Sequence, residues 1–288
     1  MSKQGNIYIG TSGWSYPSGE GAWKGYFYPS AKINELEYYS RFFNTVEINS
    51  SFYSPPNPGY VYNWTKRVPD GFLFTVKLWQ KFTHPKMFTE STGTDAVISR
   101  DDVDVFKRSI EPLLQSGKLG AILAQFPPGF KNDERGKQTL NAVINTFGEY
   151  RLAIELRHRS WSDDKNTEHL LVDKNVTWVN IDELKFESSI SSDIPATSDM
   201  AYFRFHGRNR ENWWTGNSET RYKYLYSDSE IDELTNKVSA TASSTKLLFV
   251  FFNNHWQGYA PRNAVSMLKK LHLPFSEIPF QDKLLDNI

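Results

Sequence analysis

Residues 247–260 read LLFVFFNNHWQGYA. Leu247 to Phe252 have the length and the Val/Phe richness of a strand buried on both faces, as strands of a parallel sheet are. Yet the run stops on Asn253, Asn254 and His255, polar groups placed where a core would meet solvent. The same ending recurs along the chain. Apolar runs NIYIG near Ile7, TVEIN near Val46, FLFTVK near Leu73, GAILAQF near Leu123, LAIEL near Ile154, TWVNID near Val179 and AYFRFH near Phe203 bring the strand candidates to eight. Segments of helical period lie between them: Ile33 to Phe43, Tyr60 to Arg67, Val103 to Gln115, Gln138 to Phe147, Thr167 to Asp173, Ser229 to Val238 and Asn263 to Leu271. Ser227 with Glu230 three residues on predicts a capped helix start. Eight strand-then-crossover units in 288 residues predict an α/β fold, a single TIM-type (β/α)8 barrel over residues 1–288. The sixth unit is the irregular one, because ESSISSDIPATSD after Asp182 reads as loop. A doubly wound open sheet is the alternative. It gains no support from a GxGxxG after the first strand or from a GxxxxGK[ST], since neither is present.

Composition narrows the function classes. Lys plus Arg and Asp plus Glu are both 33, which removes the global attraction expected of a nucleic-acid coat. The chain has no cysteine, so disulfides, thiolate metal sites and a cysteine nucleophile are excluded. The start, MSKQGNIYIG, enters a strand pattern at once, and no apolar run reaches the ~20 residues that cross a bilayer. A soluble, cytoplasmic chain with no membrane partner is the expectation. Nine Trp, 15 Tyr and 20 Phe are many, and several stand beside Gly and Pro where aromatics line pockets.

Side chains alternate along a strand, so strand ends can be sorted by parity. Glu47 and Asn49 share a face, as do Glu155 and Arg157, and Arg204 and His206 above Tyr202; Phe249, Phe251, Asn253 and His255 share another. Ser12, Lys77, Gln125 and Asp182 end the remaining strands. Pointing inward, they make a ring of carboxylates, cations and amides at the C-terminal mouth, where barrel enzymes keep their chemistry. A buried ion-pair network is the competing reading, though such networks contribute little net stability. His158 has the wrong parity, His84 lies in a turn before Pro85, and His169 and His272 sit in helical patterns. Two long loops flank the ring. One starts at Trp14 (WSYPSGEGAWKGYFYP); the other follows His206 and holds Gly207, Arg208, Trp213 and Trp214. Gly207 and Arg208 suit an anion, a close backbone approach beside a forked donor.

Together GTSGWSY at Gly10, TVEINSSFY at Thr45, FTVKLWQKFTH at Phe74, LGAILAQFPPGF at Leu119, ELRHRSW at Glu155, FRFHGRN at Phe203 and FFNNHWQGYAPRNA at Phe251 run nearly end to end. The chain thereby resembles the family catalogued as domain of unknown function 72, also called YecE-like. The resemblance implies a TIM-type barrel and supplies no reaction. It implies recurrent positions at Glu47, Asn49, Lys77, His84, Gln125, Glu155, Arg157, His206, Arg208, Asn253 and Asn254. Ser51 stands where the family usually has Thr.

Three functions compete. In the first, a small anionic or phosphate-bearing ligand is held by Arg157, Arg204, Arg208 and Lys77 and oriented by Asn49, Gln125 and Asn253. Glu47 or Glu155 moves a proton, with His206 as a partner that titrates near neutrality, while Trp14, Tyr53 and Trp161 stack on a ring. Acid–base chemistry of hydrolase, lyase or isomerase type is favoured over redox, with no cofactor and no metal. The second is a metal-dependent phosphodiesterase using Glu47, Glu155, Asp182, His206 and His255; cations among these ligands count against it. The third is a non-enzymatic module for single-stranded nucleic acid or a partner protein. Oligomeric state is not encoded legibly.

Overall fold

The computed structural model describes residues 6–29, 33–191, 194–211 and 220–279. Strands and helices alternate through them. The order is β1 (Asn6–Thr11), α1 (Glu35–Tyr39), β2 (Thr45–Ile48), α2 (Pro58–Lys66), β3 (Leu73–Lys77), α3 (Gln80–Thr83), α4 (Pro85–Thr92), α5 (Arg100–Gln115) and β4 (Leu119–Gln125). It continues with α6 (Glu134–Phe147), β5 (Leu152–Glu155), α7 (Arg159–Ser162), α8 (Lys165–Asp173), β6 (Thr177–Trp178), β7 (Asn180–Glu183), β8 (Met200–Gly207), α9 (Asp228–Ala242), β9 (Leu247–Phe252) and α10 (Tyr259–Lys270). All strand pairs are parallel, in two sheets ordered β1–β9–β8–β7 and β2–β3–β4–β5–β6.

Local chemistry explains the element ends. Ser227 caps α9 with Glu230 reciprocating, as its spacing predicts, and Ser99 with Asp102 does the same for α5. Pro58 and Pro85 start α2 and α4, where a missing N–H is harmless. The helices bury one stripe each: Phe106, Ile110 and Leu113 of α5, and Leu140, Ile144 and Phe147 of α6. No helix among the described residues is long and apolar enough to cross a membrane.

The sixth predicted strand is two short ones. Thr177 and Trp178 pair with β5, and the Val179 amide still reaches the Ile154 carbonyl at 3.0 Å. From Asn180 onward the chain pairs with β8 in the other sheet. One strand thus hands over from sheet to sheet. The opposite seam lies between β1 and β2, where side chains replace a ladder. Asn44 Oδ1 accepts from the Ile9 amide at 3.2 Å and its Nδ2 donates to the Ile7 carbonyl at 3.3 Å. The Tyr39 hydroxyl accepts from the Thr11 amide at 2.8 Å and donates to the Thr45 carbonyl at 3.1 Å. Beyond them Ser12 and Glu47 form a parallel bridge, and the Gly13 amide donates to the Glu47 carbonyl at 2.8 Å. Gly10 allows this approach, since a Cβ there would lie 2.1 Å from the Thr45 carbonyl oxygen.

Candidate functional site

Register decides which side chains meet. Glu47 lies beside Thr75, Gln125 beside Glu155, Arg204 beside Phe251 and Ile181, and partners on parallel strands point to one side. These inner faces of the two sheets touch. Tyr202 of β8 is hydrogen-bonded to Thr75 of β3 at 2.9 Å and donates to Glu47 of β2 at 2.7 Å.

Above that contact lies a buried charge network. Arg204 grips Glu47 with both ends of its fork, Nε to Oε2 at 3.0 Å and Nη2 to Oε1 at 2.7 Å. Its Nη1 donates to Glu155 Oε2 at 2.5 Å. All three side chains are buried. Arg157 donates from Nε to Glu155 Oε1 at 2.6 Å, and its Nη1 is 3.3 Å from Glu183 Oε2. Burial alone would raise the Glu155 carboxyl, but Arg157 and Arg204 hold it well below the usual range. Burial, reinforced by Glu155, raises Glu183 despite Arg157.

His206 departs from the expectation of a group titrating near neutrality. Burial, followed by the Arg157 charge, pushes its pKa down to about 3, so the ring is neutral. Its Nε2 is 3.0 Å from Arg157 Nη2 and 3.4 Å from Arg204 Nη1. With two guanidinium donors there, the proton belongs on Nδ1, which lies 2.9 Å from Asn253 Nδ2. The amide fits with its oxygen turned to the ring. In its neutral form His206 is an acceptor for these two guanidinium groups.

Lys77 differs from His206 in its surroundings. Burial, then the nearby Arg204, lowers its pKa to about 7, while Glu47 and Glu155 oppose the shift. The ammonium lies 4.1 Å from the centre of the Phe52 ring. No carboxylate forms an ion pair with it among the described residues. His84 joins it from the α3–α4 junction: burial, then Lys77 and Arg157, bring its pKa to about 3. Near Glu47, two buried oxygens have no hydrogen-bond partner among the described residues. Ser12 Oγ is buried and lies on the Glu47 side of the β1–β2 bridge. Asn49, at the end of β2, has its Oδ1 buried and likewise unsatisfied. Buried oxygens left alone in a protein generally await water or ligand.

Several residues chosen by sequence lie elsewhere. Arg208 turns outward to Asp182, with Nε to Oδ1 at 2.9 Å and Nη2 to Oδ2 at 2.6 Å, and is flanked by Glu230 and Glu233. Asp182 belongs to that outer strut, held also by the Tyr226 hydroxyl at 2.8 Å. Glu183 shares the face of Ile181, which lies beside Arg204, and is the carboxylate that reaches Arg157. Trp161 is buried, stacked on Phe130, and donates from Nε1 to the Phe130 carbonyl at 2.8 Å. Trp14 packs edge-on against Trp64 and Phe74, on the side of β3 opposite to Thr75. Tyr53 is exposed beside Phe52. Trp213 and Trp214 lie outside the described residues.

The metal reading loses its ligands in this arrangement. Glu47 and Glu155 are turned onto guanidinium groups, Asp182 is on the outer side, and no three His, Asp or Glu among the described residues converge. A cavity of about 430 Å3 opens at the opposite ends of the strands, beside Ile7, Asn44 and Phe72, with Arg41 and Asp70 as its charged lining groups. The titratable cluster is at the other end, and it marks the candidate site.

The model of a protein family described as protein of unknown function DUF72 matches residues 8–285. The chain belongs to the DUF72 family. It is 31% identical over 283 residues to UPF0759 protein YunF of Bacillus subtilis, covering 94% of this chain and 96% of that one. UPF0759 protein YecE of Escherichia coli K12 is 28% identical over 156 residues, 53% of this chain and 48% of its own length. Among solved structures, a DUF72 protein from Thermotoga maritima matches with a TM-score of 0.79 and 36% identity, over 92% of this chain and 99% of that chain. One from Enterococcus faecalis matches at 0.80 and 27%, over 95% and 98%. These DUF72 structures share the α/β architecture, and their names carry no reaction.

Proposed function

We propose that the chain is one (β/α)8 barrel of the TIM type whose C-terminal mouth binds a small anionic molecule and acts on it by acid–base chemistry. The strand that passes from β5 to β8 and the side-chain seam between β1 and β2 support closure. Lys77 carries the functional part: a lysine without a carboxylate ion pair among the described residues, in the field of Arg204 and Arg157 and of Glu47, whose β1–β2 bridge partner Ser12 has an unsatisfied oxygen. A surface lysine would stay charged. Here the ammonium is desolvated and repelled, so at neutral pH it exchanges a proton readily, as a general base or acid must. Glu47, Arg204 and Glu155 form the rigid frame around it; Arg157, tied to Glu155 and Glu183, carries positive charge toward the rim.

The frame is too well paired to be the anion receptor itself. Each Arg204 nitrogen already donates to a carboxylate. Its fixed charge and that of Arg157 act on a ligand through the field at Lys77. The test is a thermal-shift titration against sugar phosphates and small carboxylates, with Lys77→Met alongside. At least one compound should raise the melting temperature of the native chain and leave the variant unmoved. A panel that shifts neither, or shifts both alike, rules the reading out.

A further inference from the structure

Resting on that site, we infer that Lys77 Nζ is a nucleophile that forms an imine with a small hydroxylated aldehyde or ketone bearing a phosphate or carboxylate. Three observations point to this ligand class. First, the lysine stands at the C-terminal end of β3 with its head on the Phe52 ring and, among the described residues, no carboxylate in ion-pair contact, so the ring face is the one direct contact that favours its ammonium. The groups facing it from neighbouring elements are Glu47 of β2, Glu155 and Arg157 at the end of β5, Arg204 of β8, and His84. Its depressed pKa leaves free amine at neutral pH, the form that attacks a carbonyl. Second, Asn49 Oδ1 and Ser12 Oγ have no hydrogen-bond partner among the described residues, and a hydroxyl-bearing ligand supplies donors to such acceptors. Third, a charged iminium at Nζ would stand in the field of two guanidinium groups, and a ligand anion offsets that repulsion.

The step balances without a co-reactant. The amine lone pair forms a C–N bond to the carbonyl carbon as the C=O π pair moves onto oxygen. That oxygen takes a proton, and nitrogen loses one, giving a carbinolamine. A second proton on the hydroxyl lets the C–O bond break, and one water leaves as the imine forms. The imine withdraws electrons from the adjacent carbon, whose proton or C–C bond is then the reacting one.

Borohydride reduces an imine to a stable secondary amine, which peptide mass spectrometry locates without any variant. The full chain should be incubated at neutral pH with dihydroxyacetone phosphate, glyceraldehyde 3-phosphate or pyruvate, then reduced. The expected result is a saturable adduct on Lys77 with the hydroxylated phosphates, at least tenfold above the labelling of Lys246, a lysine 83% exposed at the surface. Lys77→Arg should lose the adduct and Lys246→Arg should keep it. Labelling of Lys77 no greater than that of Lys246, or no adduct at all, overturns the inference. If a probe raises the melting temperature yet leaves no adduct on Lys77, the imine falls while the binding site stands. Absence of both removes both.

Discussion

Replacing Lys77 by methionine should stabilise the protein, because the native fold holds an amine it disfavours in charged form. The sign follows from linkage. The pKa is about 7 in the fold against 10.5 in an ordinary setting, so between these values the unfolded chain binds more protons. Stability therefore rises with pH through this window on account of Lys77, and its penalty is complete below pH 7. Allowing for water reaching a partly exposed group, Lys77→Met should gain roughly 2 kcal/mol at neutral pH. Urea denaturation at several pH values checks this. The gain should be flat below 7 and shrink toward zero by about pH 10; a variant less stable than the native chain at pH 7 contradicts it. The same scale shows what parity could deliver. Alternation placed Glu47, Glu155, Arg204 and His206 on one side because both faces of these strands are regular. Asp182 stands in place of Glu183 because the run read as TWVNID stops one residue short of the position that shares the face of Ile181. Alternation also could not supply the His206 pKa, which depends on burial and then on Arg157 arriving from beyond the end of β5.

The end of β8 shows how one element sorts its neighbours. Arg204 and His206 face the network, and then the chain must turn so that Arg208 reaches Asp182 on the outer side. Gly207 makes the turn with φ +88°, a conformation side chains resist, while its amide donates to the Tyr226 hydroxyl at 2.8 Å. An added Cβ would lie 2.7 Å from Tyr224 Cβ. Gly207→Ala should therefore lose about 1–3 kcal/mol of stability, from backbone strain and displacement of Tyr224. Equilibrium unfolding measures it, and a loss below about 0.5 kcal/mol, the range of a neutral surface change, would refute the account. A sequence reading assigned Gly207 and Arg208 to an anion, since a glycine beside a forked donor is also how loops hold phosphate. Only the position of Asp182 separates the two. Helices were easier: α5, α6 and α9 announce themselves by stripe and cap, whereas the four-residue α3 and α7 have no period to detect.

At the scale of the whole chain, eight strand runs were legible but the joins between the sheets were not. Both joins depend on side chains or on a strand changing partners, which no apolar period encodes. The β1–β2 seam is the more exposed to test. A single hydroxyl, that of Tyr39, satisfies the buried Thr11 amide, meets Thr11 Oγ1 at 3.0 Å and donates to the Thr45 carbonyl. Tyr39→Phe keeps the packing of the ring against Phe27 and Phe43 and removes only these bonds. Because it leaves a buried donor unpaired, the change should lower stability by about 1–3 kcal/mol. The loss should be local in its dynamics. Hydrogen exchange of the Thr11 amide should accelerate far more than that of Val250 or Arg204, which lie inside the regular β1–β9–β8 ladder. Since Ser12 and Glu47 form the bridge just beyond Tyr39, loosening this seam should also displace Ser12 Oγ and Glu47 relative to Arg204. Ligand-induced stabilisation should then weaken along with the seam. If Thr11 stays as protected in the variant as in the native chain, the two sheets are joined by something other than this hydroxyl.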